Sequence, residues 1–125
     1  MKIAITSQGR DLHSQVDPRF GRAAYILIVD TDDHGFEVID NSPNVNAFKG
    51  AGIQAAATLS KSGADVLLTG YCGPNAFKTL QAAGIQVVND VTGTVKDAVD
   101  AFNEGTLTYA ISSNAANCAL ENSLP

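Results

Sequence analysis

The chain has three arginines, Arg10, Arg19 and Arg22, and all of them fall between residues 7 and 23. His13, one of two histidines, lies among them. A guanidinium stays charged at neutral pH and offers a planar fork of donors that meets oxyanions at two points. In a chain of formal net charge −5, gathering every guanidinium into one stretch is a way to build an anion site. The competing reading is a solvated loop whose charges are balanced by Asp11 and Asp17. Gly21, between Phe20 and Arg22, allows close approach of backbone to a ligand. Phe20 is either a plug beneath the loop or a stacking platform. His13 is either a donor or soft metal ligand, or a solvated loop residue.

A second group lies in residues 70–75, GYCGPN. Cys72 precedes Gly73 and Pro74 at an expected helix start. A helix N-terminus lowers a thiol pKa and favours thiolate, which makes Cys72 the candidate metal–sulfur contact; an inert buried thiol is the alternative. Asn75 is placed to cap the helix. The glycines of this turn and of GAG at 50–52 match no phosphate-loop spacing. Cys118 falls in the tail, away from these groups. The cysteines form no CxxC pair, and reduced thiols in a cytoplasmic protein are the expectation. No Cys/His set has structural zinc spacing, and no GxSxG elbow is present. A magnesium-dependent nuclease would want an Asp within the first strand, and MKIAITS has none. Asp30 and Asp40 are expected at the sheet edge away from the site.

The elements that must position these groups follow from apolar patterning. Residues 2–6 alternate as a short strand, with Ile3 and Ile5 on one face. The long segment 7–23 lacks periodicity, and loops of that length in compact domains are usually functional or disordered. Residues 24–30 (AYILIVD) form an apolar run expected of a strand covered on both faces. TDDHG at 31–35 is turn chemistry that returns residues 36–41 as a hairpin, with His34 at its solvated tip. A second polar loop spans 42–52. Helix is expected over 53–61, strand over 65–69, helix over 76–83, strand over 85–89 and helix over 95–103, the last capped by Thr94. Residues 107–111 extend as an edge segment. Residues 1–111 thus form a single α/β domain, and 112–125 read as a flexible tail.

The order is strand, strand, strand, helix, strand, helix, strand, helix. A short turn makes the second and third strands neighbours, and the later units require parallel strands with right-handed crossovers. One solution is a mixed five-stranded sheet of order 3-2-1-4-5 with strand 2 antiparallel, flanked by helices. That is the arrangement of the ribonuclease H-like fold. Ligands in such sheets favour the carboxyl ends of the parallel strands. The arginine loop, the 42–52 loop, GYCGPN and DVTGT all reach that edge, and three of them open onto helix starts with unpaired N–H groups.

Composition narrows the partners. A pI near 4.7 argues against general nucleic-acid binding. No apolar run approaches the roughly 18 residues of a membrane span, and MKIAITS lacks the apolar core of a signal peptide.

Three stretches, HSQVDPRFGRAAYILIVD, GAGIQAAATLSKSGADVLLTGYCGPNAFKTLQAAGIQV and GTVKDAVDAFNEGTL, resemble the dinitrogenase iron–molybdenum cofactor biosynthesis family. The resemblance runs from about residue 2 to 107. That family includes small carriers of nitrogenase cofactor assembly and the orange proteins of sulfate-reducing bacteria. The resemblance implies a ribonuclease H-like fold and binding of an anionic metal–sulfur cluster, without catalysis. The cargo would be a molybdenum–copper sulfide or an iron–molybdenum precursor, and a protein partner in delivery is a further candidate. By this likeness Arg19, Phe20, Gly21 and Arg22 match an FGRA-type motif. Gly70, Cys72, Gly73, Pro74 and Asn75 match a Gly-Pro turn. The resemblance covers no His-rich tail, since this chain has none. The sequence therefore points to a non-enzymatic cluster carrier. The other readings are a magnesium-dependent nuclease-like enzyme and a metal-free interaction module.

Overall fold

The computed structural model describes residues 1–33, 35–41 and 51–110. His34, residues 42–50, Cys118 and the expected tail lie outside them. Ile3 and Ile5 alternate with Ala4 along β1 (Lys2–Ser7), and all three are fully buried. Both faces of this strand are covered, which is why its apolar residues need not keep to one side. β2 (Tyr25–Asp30) pairs antiparallel with β1, and β3 (Phe36–Asp40) antiparallel with β2. The chain continues through α1 (Ala51–Ser62), β4 (Val66–Leu68), α2 (Pro74–Ala82), β5 (Gln86–Val88) and α3 (Val95–Asn103). β4 lies parallel to β1, and β5 parallel to β4. The five-stranded sheet has the order β3-β2-β1-β4-β5. This is the ribonuclease H-like topology expected from the sequence.

Alternation along each strand feeds two cores. Ala4, Ile26, Ile28, Leu67 and Val87 meet Ala55, Ala56 and Leu59 of α1 and Phe77 and Leu80 of α2. On the other face, Ile3, Ile5, Leu27, Val29 and Leu68 meet Val95, Ala98 and Val99 of α3. The sheet is thus held between two helices and one. The arginine loop and the 70–75 turn both leave its carboxyl edge.

Some boundaries differ from expectation. α2 begins at Pro74 rather than at residue 76, with Gly73 as N-cap. Proline suits the first helical position because its N–H would be unbonded there anyway. Residues 107–110 form no strand, yet the Ala110 N–H donates to the Val87 carbonyl at 2.6 Å, so the chain does return along β5. Asp40 is a correction. The register places Asp30 opposite Lys2, at the far edge, but Ser7 opposite Tyr25 and Tyr25 opposite Asp40. β3 runs parallel to β1, so Asp40 ends at the carboxyl edge, on the side of the site.

Candidate functional site

After β1 the chain wraps across the carboxyl edge in two halves. Residues 8–16 dock on the start of α3. The Val95 N–H donates to the Ser14 carbonyl at 2.9 Å and the Lys96 N–H to the Leu12 carbonyl at 2.8 Å. Val16 donates back to the Gly93 carbonyl at 2.9 Å. Thr94 and Asp97 complete a capping box, in which the Thr94 hydroxyl accepts from the Asp97 N–H. The first-turn donors of α3 are therefore used by the loop and the helix's own cap. This corrects the expectation that they face a ligand.

Residues 17–24 lean instead on the turn before α2. The Phe20 N–H donates to the Tyr71 carbonyl at 3.2 Å, and the Tyr71 N–H to the Pro18 carbonyl at 2.8 Å. Gly70 is required there: a Cβ on it would stand 2.5 Å from Pro18 Cα. Phe20 is buried in the same core as Cys72, as a plug beneath the turn. Gly21 holds φ at 75°, a left-handed conformation that glycine adopts without strain.

Two buried threonines anchor this half. The Thr6 hydroxyl donates to the Asp17 carbonyl at 2.6 Å, while the Asp17 N–H donates to the Thr6 carbonyl at 2.9 Å. A hydroxyl has one hydrogen, so Thr69 is the donor in its 2.9 Å contact with Thr6. Both stand at the ends of the paired strands β1 and β4, where the sheet order turns. The Asn41 amide adds a third anchor, donating to the Gly21 and Ala23 carbonyls at 3.0 and 2.8 Å.

The predicted site residues divide between the halves. Arg19 donates from its backbone N–H, Nε and Nη2 to Asp17, at 3.0, 3.3 and 3.5 Å. The hydrogen bond and then the charge of Asp17 raise the Arg19 pKa above its ordinary value. Arg22 is half-buried in the same turn, its N–H bonded to the Phe20 carbonyl. Arg10 lies elsewhere: its guanidinium carbon sits 5.0 Å from the ring centre of Tyr25, which packs on the α3-side core. His13 is exposed beside Leu12, and its N–H bonds to Asp11 Oδ1 at 2.9 Å. So Arg19, Phe20, Gly21 and Arg22 share a corner with Gly70, Cys72, Gly73, Pro74 and Asn75, while Arg10 and His13 belong to the α3 side.

No side chain caps α2. Asn75 is in its first turn and does not cap it. Among the described residues, nothing accepts from the N–H groups of Asn75 and Ala76. Cys72 is 1% exposed, and its Sγ lies 3.7 Å from the Gly73 carbonyl. Burial pushes its thiol up to about 12, the reverse of the lowered value expected at a helix start. Desolvation outweighs the helix field here because the sulfur points into the core. Among the described residues, no three His, Cys, Asp or Glu are grouped to hold a metal ion.

Sequence reasoning missed Asp17 and Asn41 as supports of the site. Asp17 was visible only as a counter-charge, and Asn41 only as a strand end. Among the described residues the corner offers guanidinium and N–H donors without a thiolate or carboxylate cluster. It suits a polyatomic anion held by hydrogen bonds.

The model of the family described as "Dinitrogenase iron-molybdenum cofactor" matches residues 1–105. The apo form of the orange protein from Desulfovibrio gigas superposes with a TM-score of 0.89 at 49% identity, over 90% of this chain and 95% of that one. A putative NifB protein from Thermotoga gives a TM-score of 0.76 at 41% identity, over 86% and 91%. An uncharacterised protein of Methanocaldococcus jannaschii is 26% identical over 110 residues, 86% of this chain and 89% of the relative.

Proposed function

The chain belongs to the dinitrogenase iron–molybdenum cofactor family, and from that premise we propose that it is a non-catalytic carrier of an anionic, molybdenum-containing metal–sulfur cluster. The observation that carries this reading is the corner where Arg19, bridged to Tyr71, stands beside the uncapped start of α2, with Arg22 three residues further along the same turn. Terminal sulfides are diffuse, anionic acceptors. Two guanidinium groups and the N–H groups of Asn75 and Ala76 match them without covalent ligation. Gly70 lets Pro18 pack against the turn, and Gly73 and Pro74 form the N-cap and first residue of α2. The likeness to an orange protein favours a molybdenum–copper sulfide over an iron–molybdenum precursor. Among the described residues Cys72 is the only soft side chain at this corner, and it reaches the cargo only if the core beneath the turn opens. Arg10 adds positive charge from the α3 side at longer range, and His13 is an exposed ring donor on that side.

Arg22→Ala tests the reading. Loaded with tetrathiomolybdate and copper, the variant is expected to retain at most about a tenth of wild-type uptake, as loss of a charge-assisted contact implies. Its melting temperature should stay near that of the wild type. Undiminished uptake at equal protein concentration would contradict it.

A further inference from the structure

Among the described residues Asp17 is the one buried carboxylate, at 2% exposure. A charge taken out of water needs partners that satisfy it. Asp17 finds them in one residue, because Arg19 supplies its backbone N–H, Nε and Nη2. Nε and Nη2 make up one edge of the guanidinium. Of its five N–H donors, that edge commits two. The rest, on Nη1 and the outer side of Nη2, meet no acceptor among the described residues, and the Arg19 side chain is 52% exposed. Both members of the pair are fixed from below. Asp17 is tied to Thr6 through two backbone-mediated bonds, and Arg19 is bridged to Tyr71.

We propose that Asp17 is a positioning residue, whose buried carboxylate grips one edge of the Arg19 guanidinium and turns the opposite pair of N–H donors outward as a fixed two-point reader. The pair is close to neutral, so Arg19 contributes direction more than charge. It takes polyatomic anions that present two acceptor atoms along one edge, as a tetrahedral thiometalate does. The proposal rests on the carrier reading for the nature of the cargo.

Asp17→Asn removes a negative charge next to an anion site, and simple electrostatics would have it strengthen binding. Positioning requires it to weaken binding. The backbone bonds to Thr6 do not need the carboxylate, so the loop anchor survives the change.

The experiment is a titration of the full chain with tetrathiomolybdate plus copper, for wild type, Asp17→Asn, Arg19→Lys and the double variant, with melting temperatures recorded alongside. Each single variant is expected to raise Kd about tenfold, although Arg19→Lys keeps its charge at an exposed position. The double variant should bind no worse than either single one, since Asp17 acts through Arg19. Asp17→Asn binding at or above wild-type affinity would overturn the proposal. So would wild-type affinity in Arg19→Lys, or losses that add in the double variant, as a purely structural role would give. Wild type that binds nothing would overturn the carrier reading itself, and this proposal with it.

Discussion

At the scale of single residues, the site's chemistry is set by burial as much as by residue type. Cys72 shows this. Its position next to a helix start suggests a reactive thiolate, but a sulfur 1% exposed in the core is a neutral thiol at physiological pH. Its folded value of about 12 lies above the ordinary 9.0, so the folded state resists ionisation. The stability this implies is intact below the ordinary value and is lost as pH rises from there towards the folded one. Native protein at pH 8 should therefore react with iodoacetamide at Cys72 far more slowly than denatured protein. Equal rates, followed by mass spectrometry of the Cys72 peptide, would contradict this. Asp17 and Asn41 make the complementary point. Each is 2% exposed and fully engaged, yet no sequence pattern distinguishes a buried loop Asp or Asn from a solvated one. Arginine clustering singles out one stretch of chain and treats it as a unit. Only the contacts show that Arg10 lies over Tyr25 while Arg19 bridges to Tyr71 in the turn before α2.

At the scale of elements, the two helix starts that flank the carboxyl edge have different fates. α3 is closed by the Thr94–Asp97 box and by the carbonyls of Leu12 and Ser14. α2 has a glycine N-cap and a proline in its first turn, so it closes nothing by itself. The start of α3 was legible because Thr followed by an amphipathic run is a strong signal. The start of α2 was not, because Pro-Asn after Gly reads equally well as a turn. Removing the α3 cap should cost stability without touching the site. Thr94→Ala is expected to lose about 1 kcal/mol in urea unfolding while cluster uptake is retained. Loss of uptake at matched folded fraction would place the start of α3 back in the site. The Asp97 carboxyl is held below its ordinary value by the Thr94 N–H and hydroxyl. Its support for the cap is therefore full above the ordinary carboxylate range and fades as pH falls through the lowered value.

At the scale of the whole molecule, an acidic chain of net charge −5 carries a corner rich in donors for an anion. Repulsion from the rest of the surface works against non-specific anion binding, so directed donors matter more than bulk charge. The sheet order was legible because the buried strands are short apolar runs and the connections allow few topologies. Asp40 was misplaced although the expected hairpin already set the direction of β3: a strand antiparallel to β2 runs with β1, so its last residue ends at the carboxyl edge. No helix among the described residues is long and apolar enough to cross a membrane. The carrier reading is tested most directly by molybdenum analysis and visible absorption of the wild-type protein after loading with tetrathiomolybdate and copper and passage through a gel-filtration column. The account predicts intense visible bands that co-elute with the protein and molybdenum in a fixed ratio to it. Colourless protein free of molybdenum would contradict it.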